Sequence, residues 1–306
     1  MFLSVVIPAW NAERYLEETV RSVIAQTKRD WNLVIVDDGS KDRTREIALG
    51  LQAEDERISV IYQHNGGPSA ARNTGFDAVC DNSDSVLFLD ADDVLEPTAL
   101  AELHAALENA APDVVGVYGL PRDMTVTGNL IDIPLQEAWG YNREAVTGVR
   151  TPKLTVEEPS SFRTFVIWCT IQTPGQALIK ASLLKKVGPW RSMPSEDWEM
   201  WLRLAALGPF VMLPRFTLRK RMSPNSLSSD GKWLAKAEPI IRNTLASDVF
   251  TKEQRSVARI GELRAVGLRF SWAIDALKKG EVADAMRQFY RATRALAVFA
   301  ARLPRY

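Results

Sequence analysis

With 306 residues, 38 of them Lys or Arg and 38 Asp or Glu, the chain carries no formal net charge at neutral pH, and no nucleic-acid partner is expected. Its 46% hydrophobic and 25% charged content is ordinary for a soluble globular protein, and the length suits one large domain or one domain with a smaller appendage. No apolar stretch approaches the roughly 18 residues that would span a bilayer.

The amino terminus, Met1-Phe-Leu-Ser-Val-Val-Ile-Pro8, has neither a basic leader nor a small-residue cleavage site and reads as a first strand over Leu3–Ile7. A helix is expected over about Ala12–Gln26, where Tyr15, Leu16, Thr19, Val20, Val23 and Ile24 recur at i, i+3, i+4 spacing behind Asn11 as cap. A strand over Leu33–Asp37 precedes a second helix, Asp42–Leu51, capped by Ser40. Further strands are expected at Ile58–Tyr62, Val86–Leu89 and Val114–Tyr118, and Pro97 opens a third helix running to Asn109. This alternation predicts a mostly parallel sheet with helices on both faces. From Pro121 to Thr173 the periodicity fades into loops and short helices. Order returns with a strand at Gly175–Lys180, then a short helix, Ser182–Val187, stopped by Gly188-Pro189. A helix over Asp197–Leu207 is stopped by Gly208-Pro209, late strands follow at Phe210–Leu213 and Phe216–Arg221, and residues 232–306 read as helical. The two cysteines, Cys80 and Cys169, lie far apart and predict free thiols in a reducing, cytosolic setting.

Two carboxylate clusters stand out because each follows a buried-type strand. Asp37-Asp38 follows Trp31–Val36, and Asp90-Ala91-Asp92-Asp93 follows Ser85–Leu89. Carboxylates at the C-terminal ends of such strands face the crevice where open α/β sheets bind ligands. Three acids in four residues repel one another and raise one another's pKa unless a cation sits among them. The first strand ends in Pro8-Ala9-Trp10-Asn11, without the Gly-x-Gly-x-x-Gly of a dinucleotide site or a Walker-type loop. Trp10 either offers a flat face to a ligand or packs in the core.

Five segments then occur in order: Ser4-Val-Val-Ile-Pro-Ala-Trp-Asn11; Val36-Asp-Asp-Gly-Ser40 with Asp42; Gly66-Gly-Pro-Ser-Ala-Ala-Arg-Asn73; Leu89-Asp-Ala-Asp-Asp93; and Glu196-Asp-Trp-Glu-Met-Trp-Leu-Arg203. Together, over roughly residues 1–228, they resemble glycosyltransferase family 2, inverting nucleotide-sugar transferases of the GT-A fold. The resemblance implies an α/β, Rossmann-like, mostly parallel sheet flanked by helices, with a nucleotide-binding half at 1–120, an acceptor-facing half at 121–228 and a helical extension at 229–306. It places the donor nucleotide against Pro8, Ala9, Trp10, Asp38, Arg72 and Asp90. Asp38 would accept a hydrogen bond from a base, as suits an acceptor-only group, and Asp90 would sit near the ribose. Asp92 would hold Mg²⁺ or Mn²⁺ bridging the diphosphate, a hard cation that accepts few protein ligands. Asp197 would be the general base that takes the proton of the attacking hydroxyl, with Asp93 and Glu196 as supporting acids. The implied donor is a nucleoside-diphosphate sugar, UDP- or dTDP-type, and the implied acceptor a carbohydrate or lipid-linked glycan of a cell surface.

The chain departs from the family pattern in Arg219-Lys-Arg-Met-Ser-Pro-Asn-Ser-Leu-Ser228, where a family histidine falls at Ser223. Either the metal has fewer protein ligands, or Arg219 or Arg221 takes part of the diphosphate charge. His64 and His104 lie elsewhere and are assigned no role. The neutral total also hides an asymmetry: residues 1–100 hold 9 Lys/Arg against 18 Asp/Glu, and residues 251–306 hold 12 against 5. On a helical wheel Val282, Met286, Phe289, Thr293, Leu296, Ala297 and Ala300 share one face, with Arg287, Arg291, Arg294 and Arg302 opposite. That pattern suits a peripheral site on the inner face of a membrane, a homodimer, or packing on a preceding helix at Val257–Leu277. A sugar-nucleotide pyrophosphorylase is disfavoured because Pro8-Ala9-Trp10-Asn11 is not a Gly-rich triphosphate loop. A non-catalytic nucleotide-sugar binder is disfavoured because Asp92 and Asp197 are both present.

Overall fold

The structure, a computed structural model, describes residues 2–138, 160–167, 169–222, 250–252, 254–255, 270, 273–274 and 276–301. The chain divides into two compact units, Met1–Ser229 and Asp230–Tyr306.

The first unit is built on one eight-stranded sheet: β1 (Leu3–Ala9), β2 (Trp31–Asp37), β3 (Ile58–Tyr62), β4 (Ser85–Phe88), β5 (Val94–Leu95), β6 (Gly116–Met124), β7 (Ala177–Lys180) and β8 (Phe210–Arg221). Their order across the sheet is β3-β2-β1-β4-β7-β6-β8-β5. The first four run parallel, β7 lies antiparallel between β4 and β6, β6 and β8 are parallel, and β5 is antiparallel to β8. Strands β1, β2 and β4 are buried almost throughout, which is why they read as continuous apolar runs rather than alternating ones. After β3 the chain returns to the far side of β1 to place β4, and this reversal opens a ligand position at the C-terminal ends of β1 and β4.

Helices cover the sheet. Helix α1 (Leu16–Ile24) buries Leu16, Thr19, Val20 and Val23 against it, following the expected periodicity. It begins one turn later than expected, and Asn11 is not its cap. Instead Asn11 takes a left-handed φ of 48°, and its side-chain carbonyl accepts the Lys41 amide at 2.9 Å. Likewise α2 (Thr44–Glu54) has no side-chain cap from Ser40; the Ser40 hydroxyl accepts the Asn11 amide at 3.0 Å. The two turns are thus pinned to each other. Helix α4 (Ala99–Glu108) starts just past Pro97.

Around Arg72, where the sequence marks no more than a helix start, lies the helix α3 (Pro68–Val79). Few large apolar residues mark it, because it meets β1 and β2 so closely that Gly75 has no room for a Cβ beside Val6 and Val36. Phe210–Arg221 is one twelve-residue strand, not two, and its pairing with β6 shifts register between Tyr118 and Pro121, which absorbs the irregularity at Pro214. Shorter helices α5 (Phe162–Ile167) and α6 (Ala181–Val187) lead to α7 (Glu196–Ala205), the helix that carries the late acids.

In the second unit, helix α8 (Val282–Ala301) buries Ala285 and Ala292. Val282, Met286, Phe289 and Leu296, the expected packing face, are exposed. The Phe289 ring meets Phe270 edge-on at 5.4 Å; the rest of the expected partner segment lies mostly outside the described residues. Among the described residues no helix is long and apolar enough to cross a membrane.

Candidate active site

Both carboxylate clusters emerge at the C-terminal edge of the parallel strands, as their positions in sequence required. Pro8 and Ala9 close β1, and Trp10 then turns outward, 56% exposed. A large aromatic face left in water beside a strand end is available to a flat ligand, and this removes the core alternative for Trp10. Asp37 is fully buried and supports the turn by accepting the Ser40 amide at 3.0 Å. Asp38 is 2% exposed. Its Oδ1 accepts Gln63 Nε2 at 2.7 Å and the Gly66 amide at 2.8 Å, and its Oδ2 accepts the Gly67 amide at 2.8 Å. A carboxylate offers about four acceptor positions, so Asp38 organises the 63–67 loop and keeps one position unused. Gly67, at φ 84°, takes the left-handed conformation that aims its amide there and opens α3.

Arg72 joins the two ends of the site. It is only 4% exposed, whereas an arginine in this sequence context taken alone would be expected at the surface. Its guanidinium donates to Asp90 Oδ1 at 2.8 Å and to Glu196 Oε1 at 2.9 Å, and it stacks over Trp190 at 4.8 Å. A buried arginine is tolerated only where carboxylates neutralise it. Here the two that do so come from positions 106 residues apart in the chain, and they bring the Glu196-Asp197 pair to the Asp90–Asp93 cluster.

The helix bearing that pair is held firmly. Ser195 takes a left-handed φ of 56° to start α7 abruptly. Trp198 donates its indole N–H to the Phe165 carbonyl at 2.6 Å. Trp201 packs edge-on against Trp190 at 5.7 Å and Phe210 at 6.2 Å. Arg203, 2% exposed, forks onto Glu199 and also donates to the carbonyls of Val187, Gly188 and Pro189. Asp197 accepts the Trp198 amide at 2.7 Å. Burial, and next the Glu196 charge, push its carboxyl up to about 6, a value suited to a group that accepts a proton near neutral pH.

At the Asp90–Asp93 cluster, Asp90 is half-buried and accepts Thr173 Oγ1 at 3.1 Å on the oxygen that Arg72 leaves free. The same hydroxyl lies 3.1 Å from Asp93 Oδ2. One hydroxyl proton serves one acceptor at a time. Burial and the Asp90 and Asp92 charges hold Asp93 well above the usual carboxylate range, which favours a protonated Asp93 and removes the conflict. Burial and the Asp90 charge push Asp92 up to about 6. No side chain donates a hydrogen bond to the Asp92 carboxylate among the described residues. An acid raised by burial and by a like charge, with its oxygens uncommitted, gains most from a cation. Among the described residues no three His, Cys, Asp or Glu side chains could hold a metal by themselves. Asp92, with Asp90 beside it, therefore fits a hard cation such as Mg²⁺ or Mn²⁺ only where phosphate oxygens complete its shell.

The late basic segment runs alongside. Arg219 makes two bonds to Glu96, at 3.1 and 2.8 Å. Arg221 is buried: it donates to Glu18 at 2.5 Å and to the Asp92 carbonyl at 3.0 Å, and its ring neighbour is Tyr15 at 4.4 Å. Ser223 lies outside the described residues. Both arginines thus stand near the cluster with their charge already met. Thr173, Trp190 and Cys169 were not anticipated as neighbours of the site. Thr173 and Trp190 had no signal in the sequence, because their roles depend on contacts across the fold. The Cys169 thiol donates to the Ile171 carbonyl at 3.0 Å, and burial with the Asp197 charge keeps it protonated by pushing its pKa well up. His64 is exposed beside Tyr62, and His104 faces Glu108 on α4.

The family described as glycosyl transferase family 2 matches residues 4–188. An uncharacterized glycosyltransferase, alr2836 of Nostoc sp., is 34% identical over 203 residues, covering 66% of this chain and 56% of that protein. The succinoglycan biosynthesis protein ExoW of Rhizobium meliloti is 45% identical over 107 residues, 34% of each chain. The matches therefore span little more than half of such relatives, or less. Among solved structures, S. aureus TarS 1–349 in complex with UDP-GlcNAc is similar with a TM-score of 0.65 at 18% identity, over 95% of this chain and 81% of that one. Mannosyltransferase PcManGT from Pyrobaculum calidifontis, in complex with GDP-Man and Mn²⁺, is similar with a TM-score of 0.63 at 15% identity, over 96% and 86%. At such identities the likeness concerns the fold, which is GT-A. With its family match extending over more than half of its residues, the chain belongs to glycosyltransferase family 2.

Proposed function

We propose that the chain is an inverting, metal-dependent glycosyltransferase that moves a sugar from a nucleoside-diphosphate sugar, UDP- or dTDP-type, to a carbohydrate or lipid-linked acceptor in surface-glycan synthesis. The observation that carries this reading is the Arg72 guanidinium bonded to both Asp90 and Glu196, because it joins a nucleotide-side acid cluster to a helix holding a proton acceptor. Relatives named for succinoglycan and teichuronic acid biosynthesis support the glycan class.

In this reading Trp10 lies along the donor, and Asp38 uses its remaining acceptor position for the base once the 63–67 loop shifts to admit it. Asp90, oriented by Arg72 and Thr173, accepts the ribose hydroxyls. Arg72 serves the donor through Asp90, since both ends of its guanidinium are committed. Asp92 would hold a divalent cation together with the donor's phosphates, and such a cation would supply charge stabilisation for a departing diphosphate. Asp197 takes the proton from the acceptor hydroxyl as its oxygen bonds to the anomeric carbon from the face opposite the leaving group. The bond from anomeric carbon to phosphate oxygen breaks, and its electron pair leaves with the diphosphate. One carboxylate acting on an attacking hydroxyl inverts the anomeric centre.

The test is release of nucleoside diphosphate from a panel of UDP-, dTDP- and GDP-sugars with Mn²⁺ present, with product anomers read by NMR. Release from one donor class with an inverted product supports the proposal. A retained anomer excludes the inverting mechanism, and no release from any donor, with acceptor glycans supplied, overturns the activity.

A further inference from the structure

We propose that Asn73 is a positioning residue for the general base: with Ser69, it ties the chain leading into Glu196 and Asp197 to the helix that opens beside Asp38. This role rests on the nucleotide-sugar reading above and deepens it.

Ser69, Arg72 and Asn73 fall at i, i+3 and i+4 of α3 and so share one face. That face meets a single distant segment. The Asn73 carboxamide, 117 residues from Trp190 in the chain, bonds the Trp190 backbone twice. It donates from Nδ2 to the carbonyl at 3.0 Å and accepts the amide on Oδ1 at 2.7 Å. The Ser69 hydroxyl donates to the Arg191 carbonyl at 3.0 Å, and Arg72 takes Glu196 at 2.9 Å. Between these anchors lie Ser192, Met193, Pro194 and Ser195, the last in the left-handed turn that starts α7. Trp190 is buried, so both of its backbone groups need a partner within the protein, and the Asn73 side chain supplies both.

Helix α3 is itself fixed on its other sides. It follows Gly66 and Gly67, whose amides hold Asp38. At Gly75 it leaves no room for a Cβ beside Val6 of β1. The 190–196 segment therefore takes its register from the nucleotide half of the fold. A general base works only within hydrogen-bond reach of the attacking hydroxyl, and a displacement of about 1 Å costs on the order of 100-fold in rate. Asn73 bonds neither Asp38 nor Asp197; it sets the spacing between the elements that carry them.

The test is steady-state kinetics of the intact chain in Mn²⁺, with the UDP-, dTDP- or GDP-sugar and acceptor glycan that release nucleoside diphosphate with wild type, together with amide hydrogen exchange. Asn73→Ala should lower kcat by about 10- to 100-fold, with the donor KM and the Kd of the matching nucleoside diphosphate within about threefold of wild type. Exchange should quicken over residues 190–197 and stay as in wild type over β1 and β2. If Asn73→Ala does not fold, Ser69→Ala decides: loss of one hydrogen bond of the same clamp should lower kcat by about 3- to 10-fold with donor affinity kept. Unchanged kcat in the folded variant overturns the assignment and leaves the nucleotide-sugar reading standing. Equal losses of kcat and donor affinity also overturn it, because the effect would then be general, as does a lost kcat with exchange unaltered over 190–197. If wild type turns over none of the donors, the functional reading falls first and the Asn73 assignment with it.

Discussion

Replacing Asp197 by Asn should stabilise the protein at neutral pH while abolishing its chemistry. The folded state holds the Asp197 carboxyl at about 6 against an ordinary 3.8. Because the folded pKa is raised, the folded chain binds its proton more tightly than the unfolded chain does. Ionising Asp197 therefore costs stability, not at all below about pH 4, progressively between pH 4 and 6, and fully above 6. A rise of roughly two units corresponds to a ceiling of about 3 kcal/mol at pH 7.5, falling to about 1.5 kcal/mol at pH 5. Asp197 keeps some solvent contact, so about 1–2 kcal/mol is expected at pH 7.5 and half of that at pH 5. Asn is the right substitution because its carbonyl still accepts the Trp198 amide. Thermal melts at the two pH values measure the effect: about 2–4 °C per kcal/mol is expected for a unit of this size. Turnover should fall by about 10²–10⁴-fold, as removal of a general base does, with nucleoside diphosphate affinity preserved. An Asn variant that melts at or below wild type at both pH values, or with the same offset at both, would refute the claim that burial raises this carboxyl.

Two further outcomes follow from the same geometry. The rate with saturating donor should fall tenfold per pH unit below an apparent pKa near 6, because the base must be ionised; a rate flat down to pH 5 would contradict this, and the value read belongs to Asp197 together with its neighbours Glu196 and Asp90. Arg203→Ala should cost about 2–4 kcal/mol, measured by denaturant titration, since it leaves the buried Glu199 carboxylate with only Arg191 and takes the donor from three carbonyls; a loss below about 1 kcal/mol would show that the guanidinium is not what fixes α7.

The nucleotide-side half of the fold was legible in the sequence because its signals are local. Apolar runs marked β1 to β4, and the acids at their ends announced the edge where a ligand would lie. Helix α3 left no periodicity in the sequence beyond a helix start, because the pressure on it is to stay thin: Gly75 fits a close approach to Val6 and Val36 that no apolar spacing records. The capping expectations for Asn11 and Ser40 failed because those side chains hold the two turns to each other instead of ending helices. Arg72 shows the limit most clearly. Its sequence neighbours fit an exposed helix start, and only the distant Glu196 and Trp190 make burial tolerable. Asp197 was singled out by resemblance, whereas the cause of its raised pKa, burial and next the Glu196 charge, is a property of the folded chain.

The most direct test of the central claim is calorimetric titration of wild type and Asp92→Asn with the nucleoside diphosphate that binds wild type, in Mn²⁺ and in chelator. Asp92 is the open acid of the cluster, raised to about 6 by burial and by Asp90, and in the proposed mechanism it is the protein's link to the cation. Wild type should therefore bind about 10- to 100-fold more tightly with Mn²⁺ than in chelator, a difference that Asp92→Asn should erase. Binding indifferent to both Mn²⁺ and Asp92, or no diphosphate binding at all, would contradict the assignment of this edge as a metal-assisted nucleotide-sugar site.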